Sequence, residues 1–77
     1  MNEADLENRL LAAHAAGDLG QLVRGYADAA DIAEGAGDVS RACFFLTHAW
    51  IFALEAGDPL ANSLRMRLVA HGRETEQ

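Results

Sequence analysis

The tripeptide Ala-Gly-Asp recurs at Ala16-Gly17-Asp18, Ala36-Gly37-Asp38 and Ala56-Gly57-Asp58, always twenty residues apart. A glycine just past an apolar-periodic stretch supplies the left-handed conformation that ends a helix, and an aspartate behind it accepts hydrogen bonds from the free N–H groups opening the next helix. Each copy therefore predicts a helix–helix junction. Asp18 is followed three residues later by Gln21, a capping-box pattern, and Asp58 precedes the only proline, Pro59, whose fixed φ and missing N–H suit a first helical position. The spacing predicts four helices, over residues 3–16, 19–35, 39–56 and 59–72, forming one domain 1–72 followed by a frayed polar tail 73–77. Short junctions make successive helices antiparallel neighbours. The expected fold is all-α, two helix hairpins in series.

Apolar periodicity assigns a core face to each helix. The first is opened by Glu3, Asp5 and Glu7, which suit a helix N-terminus, and carries Leu6, Leu10, Leu11 and Ala13 as its stripe. The second offers Leu19, Leu22, Val23, Tyr26, Ala29, Ala30 and Ala33, mostly small residues that let a neighbour approach closely. Gly20 and Gly25 interrupt it, and a close helix crossing at Gly25 is the expected reason. The fourth carries Leu60, Ala61, Leu64 and Leu68, with Arg67 and His71 at its edges.

The third helix is apolar nearly all round. Val39, Ala42, Cys43, Leu46, Ala49, Trp50 and Ala53 form one face, with Phe45 and Phe52 to one side and Phe44 and Ile51 to the other; Arg41, His48 and Glu55, seven apart, leave a narrow polar strip. Such a helix is expected to be buried on most of its circumference. Helices two and four can cover two of its flanks, which leaves the flank of Phe44, His48, Ile51 and Glu55 for a second copy of the chain. A homodimer paired through those four residues is the expectation.

Charge and composition exclude several functions. Twelve acidic against six basic residues give a net charge of −6, which opposes the phosphate neutralisation that nucleic-acid binding needs. No apolar run approaches the ~18 residues of a membrane span, and the N-terminus lacks the basic start and apolar core of a secretory signal. A single cysteine, Cys43, forms no internal disulfide; a reducing, cytoplasmic setting is expected.

Site chemistry is equally sparse. Asp28, Asp31 and Glu34 drift around the second helix and read as a solvated acidic face rather than as acid–base or cation-binding pairs. His14, His48 and His71 lie on three helices, and none has a ligand at the i+4 spacing that would place two on one face. Ser40 and Ser63 have no base at local spacing, and the glycines mark junctions rather than a phosphate loop. Trp50 and the phenylalanines, at helical spacing, read as core. No catalytic residue, metal ligand or cofactor site is expected.

Tyr26, Ala29, Ala30, Ala33, Gly37, Ala42, Leu46 and Ala49 stand at a spacing that resembles the tetratricopeptide repeat. The stretches "AAHAAGD" and "ALEAGDPLA" are similar to the related Sel1 repeat. Ala29 replaces the usual leucine, Leu54 stands where a closing proline is usual, and the helix pair recurs at 40 residues rather than the ~34 of the family. The resemblance implies a non-catalytic protein-binding scaffold whose concave surface is lined by the first helix of each pair. On the second helix that surface would include Arg24, Ala27, Asp28, Asp31 and Glu34, an acidic face suited to a basic segment of a protein partner. Members that clamp a C-terminal carboxylate carry lysine and asparagine where Ala27 and Asp31 stand, so no such receptor is implied. The alternative expectation is a structural subunit that binds only itself or one larger chain.

Overall fold

A computed structural model describes residues 3–73, with side chains from Ala4 onward; Glu3 as a side chain and residues 74–77 of the predicted tail lie outside the described residues. The described residues form an all-α fold of four helices: α1 (Glu3–Ala16), α2 (Leu19–Gly35), α3 (Val39–Ala56) and α4 (Leu60–Ala70). Packing is sequential, α1 on α2, α2 on α3 and α3 on α4, with α2 and α3 the most extensive pair. The backbone extends 34 × 29 × 13 Å, the shortest axis matching two layers of helix backbone packed ~8–10 Å apart.

The three Ala-Gly-Asp junctions are built alike. Gly17, Gly37 and Gly57 adopt φ of 65°, 77° and 64°, and their N–H groups donate to the carbonyls of His14, Glu34 and Leu54. The following aspartate N–H then donates to Ala13, Ala33 or Ala53, at 3.0, 2.9 and 2.9 Å. This pair of bonds is the Schellman motif. The aspartate carboxylates open the next helix, Asp18 accepting from the N–H of Gln21, Asp38 from that of Arg41 and Asp58 from that of Leu60. One residue thus closes one helix with its backbone and caps the next with its side chain.

The same economy corrects two expectations. The full capping box at Asp18 does not form in its reciprocal half, because the Asp18 N–H that Gln21 would approach is already given to Ala13. At the chain's end, Gly72 adopts φ 74° and Arg73 donates its N–H to Leu68, so α4 ends at Ala70 with a fourth turn of the same kind. Arg73 is part of that turn rather than of a frayed tail. Its guanidinium reaches Ser40 Oγ at 3.4 Å. Pro59 has helical dihedrals, φ −61° and ψ −17°, just before the assigned start of α4.

Because only glycine adopts this φ without steric cost, Gly37→Val destabilises the fold by more than the ~1 kcal/mol expected for removing the cap in Asp38→Ala. Urea denaturation of both variants checks this. Midpoints equal to wild type would contradict the junction account.

The core is a seam of small residues closed by leucines. Val23, Ala30, Cys43, Leu46, Ala49, Ala53, Leu64 and Leu68 form one buried cluster, against which Tyr26, Phe45, Trp50 and Phe52 pack. Three predicted core positions are exposed instead: Leu11 62 %, Leu60 44 % and Val39 42 %. Leu11 lies about 140° from Leu6 around α1, on the face away from α2. Leu60 sits in the first turn of α4, where the chain is still leaving the junction. Val39, in the first turn of α3, is exposed for the same reason. Gly25 is buried, and a Cβ there would stand 2.6 Å from Leu10 Cδ2. A side chain at this position would collide with Leu10 of α1, which is why a glycine stands there.

Candidate functional site

Three surface features carry polar or aromatic side chains in company. The first is the acidic face of α2. Asp28 pairs with Arg9 of α1, Nη1 to Oδ2 3.1 Å. Asp31 and Glu34 converge instead on Arg67 of α4, whose Nη2 lies 2.6 Å from Asp31 and 2.5 Å from Glu34. His71 Nε2 donates to the other oxygen of Glu34 at 2.7 Å. Arg24 is exposed. The three carboxylates are therefore answered by two arginines and a histidine from the same chain. Sequence spacing shows only neighbours within one helix, so these partners, 19 to 37 residues away, were not visible in it.

Hydrogen bonds from His71 and then Arg67 hold the Glu34 carboxyl below the usual carboxylate range, against a smaller opposing effect of burial. Burial disfavours the Arg67 charge, but the hydrogen bonds and charges of Glu34 and Asp31 outweigh it and raise its pKa. A carboxyl whose folded pKa is depressed stabilises the fold fully above its unfolded pKa, near 4.3, and loses that stabilisation as pH falls through the lower folded value. Glu34 is 30 % exposed, so its contribution is at most ~1 kcal/mol. Comparing urea midpoints of wild type and Glu34→Gln, wild type is the more stable near pH 6, and the difference closes on acidification below ~4. A difference unchanged by pH would remove the pairs of Glu34 with Arg67 and His71 as its source.

The second feature is a ring cluster centred on Tyr26. Its ring stacks on His48 at 5.1 Å and on Phe52 at 5.8 Å, and its hydroxyl lies 2.9 Å from His14 Nε2. His14 also meets Phe52 edge-on at 5.9 Å. The cluster ties α1, α2 and α3 together and is a packing device. Sequence reading placed His14 and His48 apart because they belong to different helices. Among the described residues no group of three or more His, Cys, Asp or Glu is gathered closely enough to hold a metal ion.

A groove of about 410 Å³ lies over α2 between α1 and α3. Leu6, Leu10, Ala29, Ile32, Ala33 and Phe45 line it, with Glu7, Asp38 and Arg41 at the rim. Asp38 is committed to capping α3, and Arg41 lies over the Phe45 ring at 5.5 Å. No convergent polar set is aimed into it.

The third feature is the outer flank of α3. Ala42, Cys43, Leu46, Ala49 and Ala53 are buried against α2 and α4, while Phe44 is 58 % exposed, Ile51 47 % and Leu54 57 %. His48 is half-buried and Glu55 exposed. The structure therefore leaves Phe44, Ile51 and Glu55 uncovered on the most apolar helix and adds Leu54 to them, whereas His48 is half-buried with its ring stacked on Tyr26 of α2. No family model, curated protein or solved structure matches the chain. Among the described residues, no helix is long and apolar enough to cross a membrane.

Proposed function

We propose that the chain is a small non-catalytic protein-interaction module of tetratricopeptide-like build, and that it works through the outer flank of α3. The observation that carries this reading is the line of Phe44, Ile51 and Leu54, three large apolar side chains about half exposed on one face of one helix. Leaving each in water forfeits ~1.5–3 kcal/mol relative to burial. Contiguous apolar surface of this kind marks a place where another surface docks.

The tetratricopeptide-like build is supported by the two-layer zigzag, by small residues at the α2–α3 seam (Ala30, Ala49 and Ala53) and by Tyr26 packed on Phe45 and Phe52. The acidic face of α2 is the weaker docking candidate, since a basic partner would have to displace Arg9, Arg67 and His71 from Asp28, Asp31 and Glu34. The buried, unpaired Cys43 thiol fits a cytoplasmic protein. A subunit that binds only itself is the second reading, favoured by the charge pattern along α3.

The test is retention on immobilised protein from an extract of the cells that make it. Wild type and an Asp31→Lys variant retain the same proteins, its own chain included, and Phe44→Asp loses them. Loss with Asp31→Lys alone would move the working surface to α2.

A further inference from the structure

We infer that the occupant of the α3 flank is a second copy of this chain, docked antiparallel with α3 against α3 about a two-fold axis near its midpoint; this rests on the reading of that flank as the working surface. Ser40, Phe44, Thr47, Ile51 and Leu54 alternate spacings of four and three, which puts them within ~40° of a common direction on the helix. That is the geometry of a seam between two helices.

The hydroxyls of Ser40 and Thr47 and the Nδ1 of His48 already have hydrogen-bond partners within the chain. Thr47 Oγ1 donates to the Cys43 carbonyl at 2.8 Å, His48 Nδ1 to the Phe44 carbonyl at 2.9 Å, and Ser40 Oγ accepts from Arg73. Covering this surface therefore leaves no new hydroxyl without a partner. Beside the seam runs the strip of Arg41, His48 and Glu55, with its positive charge at one end and its negative charge at the other.

That edge is complementary to itself in one orientation only. Antiparallel, Arg41 meets the second copy's Glu55 at both ends and His48 lies at the centre; Phe44 then faces the second copy's Leu54 and Thr47 its Ile51. Parallel pairing about a two-fold would put the two strips on opposite sides of the seam, so that neither Arg41 nor Glu55 would meet an opposite charge of the other strip. Charges flanking a helix seam decide orientation in this way, and a two-fold repeats each favourable contact.

Sedimentation equilibrium at micromolar concentration, combined with cross-linking, tests this. Wild type is a dimer. Arg41→Glu and Glu55→Arg each weaken it about tenfold, since either reversal sets like charges together at both ends, and the double variant recovers wild-type affinity. With a short thiol-reactive linker, Thr47→Cys joins two chains, whereas Ser40→Cys, whose copies stand more than ~20 Å apart along antiparallel helices, does not. Cross-linking of both variants, or a double variant as weak as the singles, would overturn the antiparallel arrangement. A monomeric wild type would overturn the second copy as occupant while leaving the flank to be judged by the retention test. A dimer unaffected by Phe44→Asp would overturn both.

Discussion

Leu46→Ala lowers the unfolding free energy by ~2–5 kcal/mol, while Leu11→Ala changes it by less than ~0.5 kcal/mol. Leu46 is fully buried at the middle of α3, among Val23, Ala30, Ala49, Ala53, Leu64 and Leu68. Three of the six residues around it, Ala30, Ala49 and Ala53, are alanines, which cannot swing in to fill the space. The loss therefore falls toward the upper part of the range, where the cavity term adds to the transfer term. A domain of this size has only ~4–12 kcal/mol in hand, so the melting temperature falls by roughly 10 °C or more. Leu11, 62 % exposed, removes almost nothing from a packed environment. Thermal and urea denaturation of the two variants side by side check the contrast; equal effects would mean that α1 is packed the other way round.

Gly25→Val destabilises by ~1–3 kcal/mol, whereas Gly20→Ala stabilises by ~0.4–1 kcal/mol. The two glycines sit in one helix and differ only in what faces them. A Cβ at Gly25 would stand 2.6 Å from Leu10 Cδ2 and 3.3 Å from its Cγ. Leu10 can yield at its tip but not at its branch point without moving α1. Valine's two γ-carbons enlarge that overlap, and its β-branching forgoes part of the helix propensity that replacing glycine would restore. At Gly20 a Cβ meets only Arg24 and Asp18 side chains, at 3.5 and 3.7 Å, so the lower entropy of the unfolded chain dominates. Since α1 packs chiefly on α2, the Gly25 variant also exposes the Leu6–Ala13 face to proteolysis first. Equal stabilisation by both substitutions would place the α1–α2 crossing elsewhere.

What the sequence made legible follows from the range over which a pattern acts. The junctions were readable because Gly17-Asp18, Gly37-Asp38 and Gly57-Asp58 act on their own helix ends, within five residues. The turn at Gly72-Arg73 was missed because arginine stands where the other three have aspartate, although its backbone does the same work. Helical angle alone identified the open flank of α3 at Phe44 and Ile51, and the same arithmetic applied to Leu11 would have removed it from the core. The acidic residues of α2 were visible as a group, but their arginine and histidine partners are brought to them by packing of α1 and α4. Likewise the contacts of Tyr26 with His14, His48 and Phe52 depend on three helices meeting.

The central claim is that the flank of α3, and no other surface, is what this chain presents to its partner. Hydroxyl-radical footprinting reads it side chain by side chain, comparing dilute protein with protein assembled with itself or with a retained partner. Phe44, Ile51 and Leu54 are expected to lose reactivity on assembly, while Leu11, as exposed as Phe44 but on α1, stays reactive. Protection of Leu11 with Phe44 and Ile51 unchanged would contradict the account.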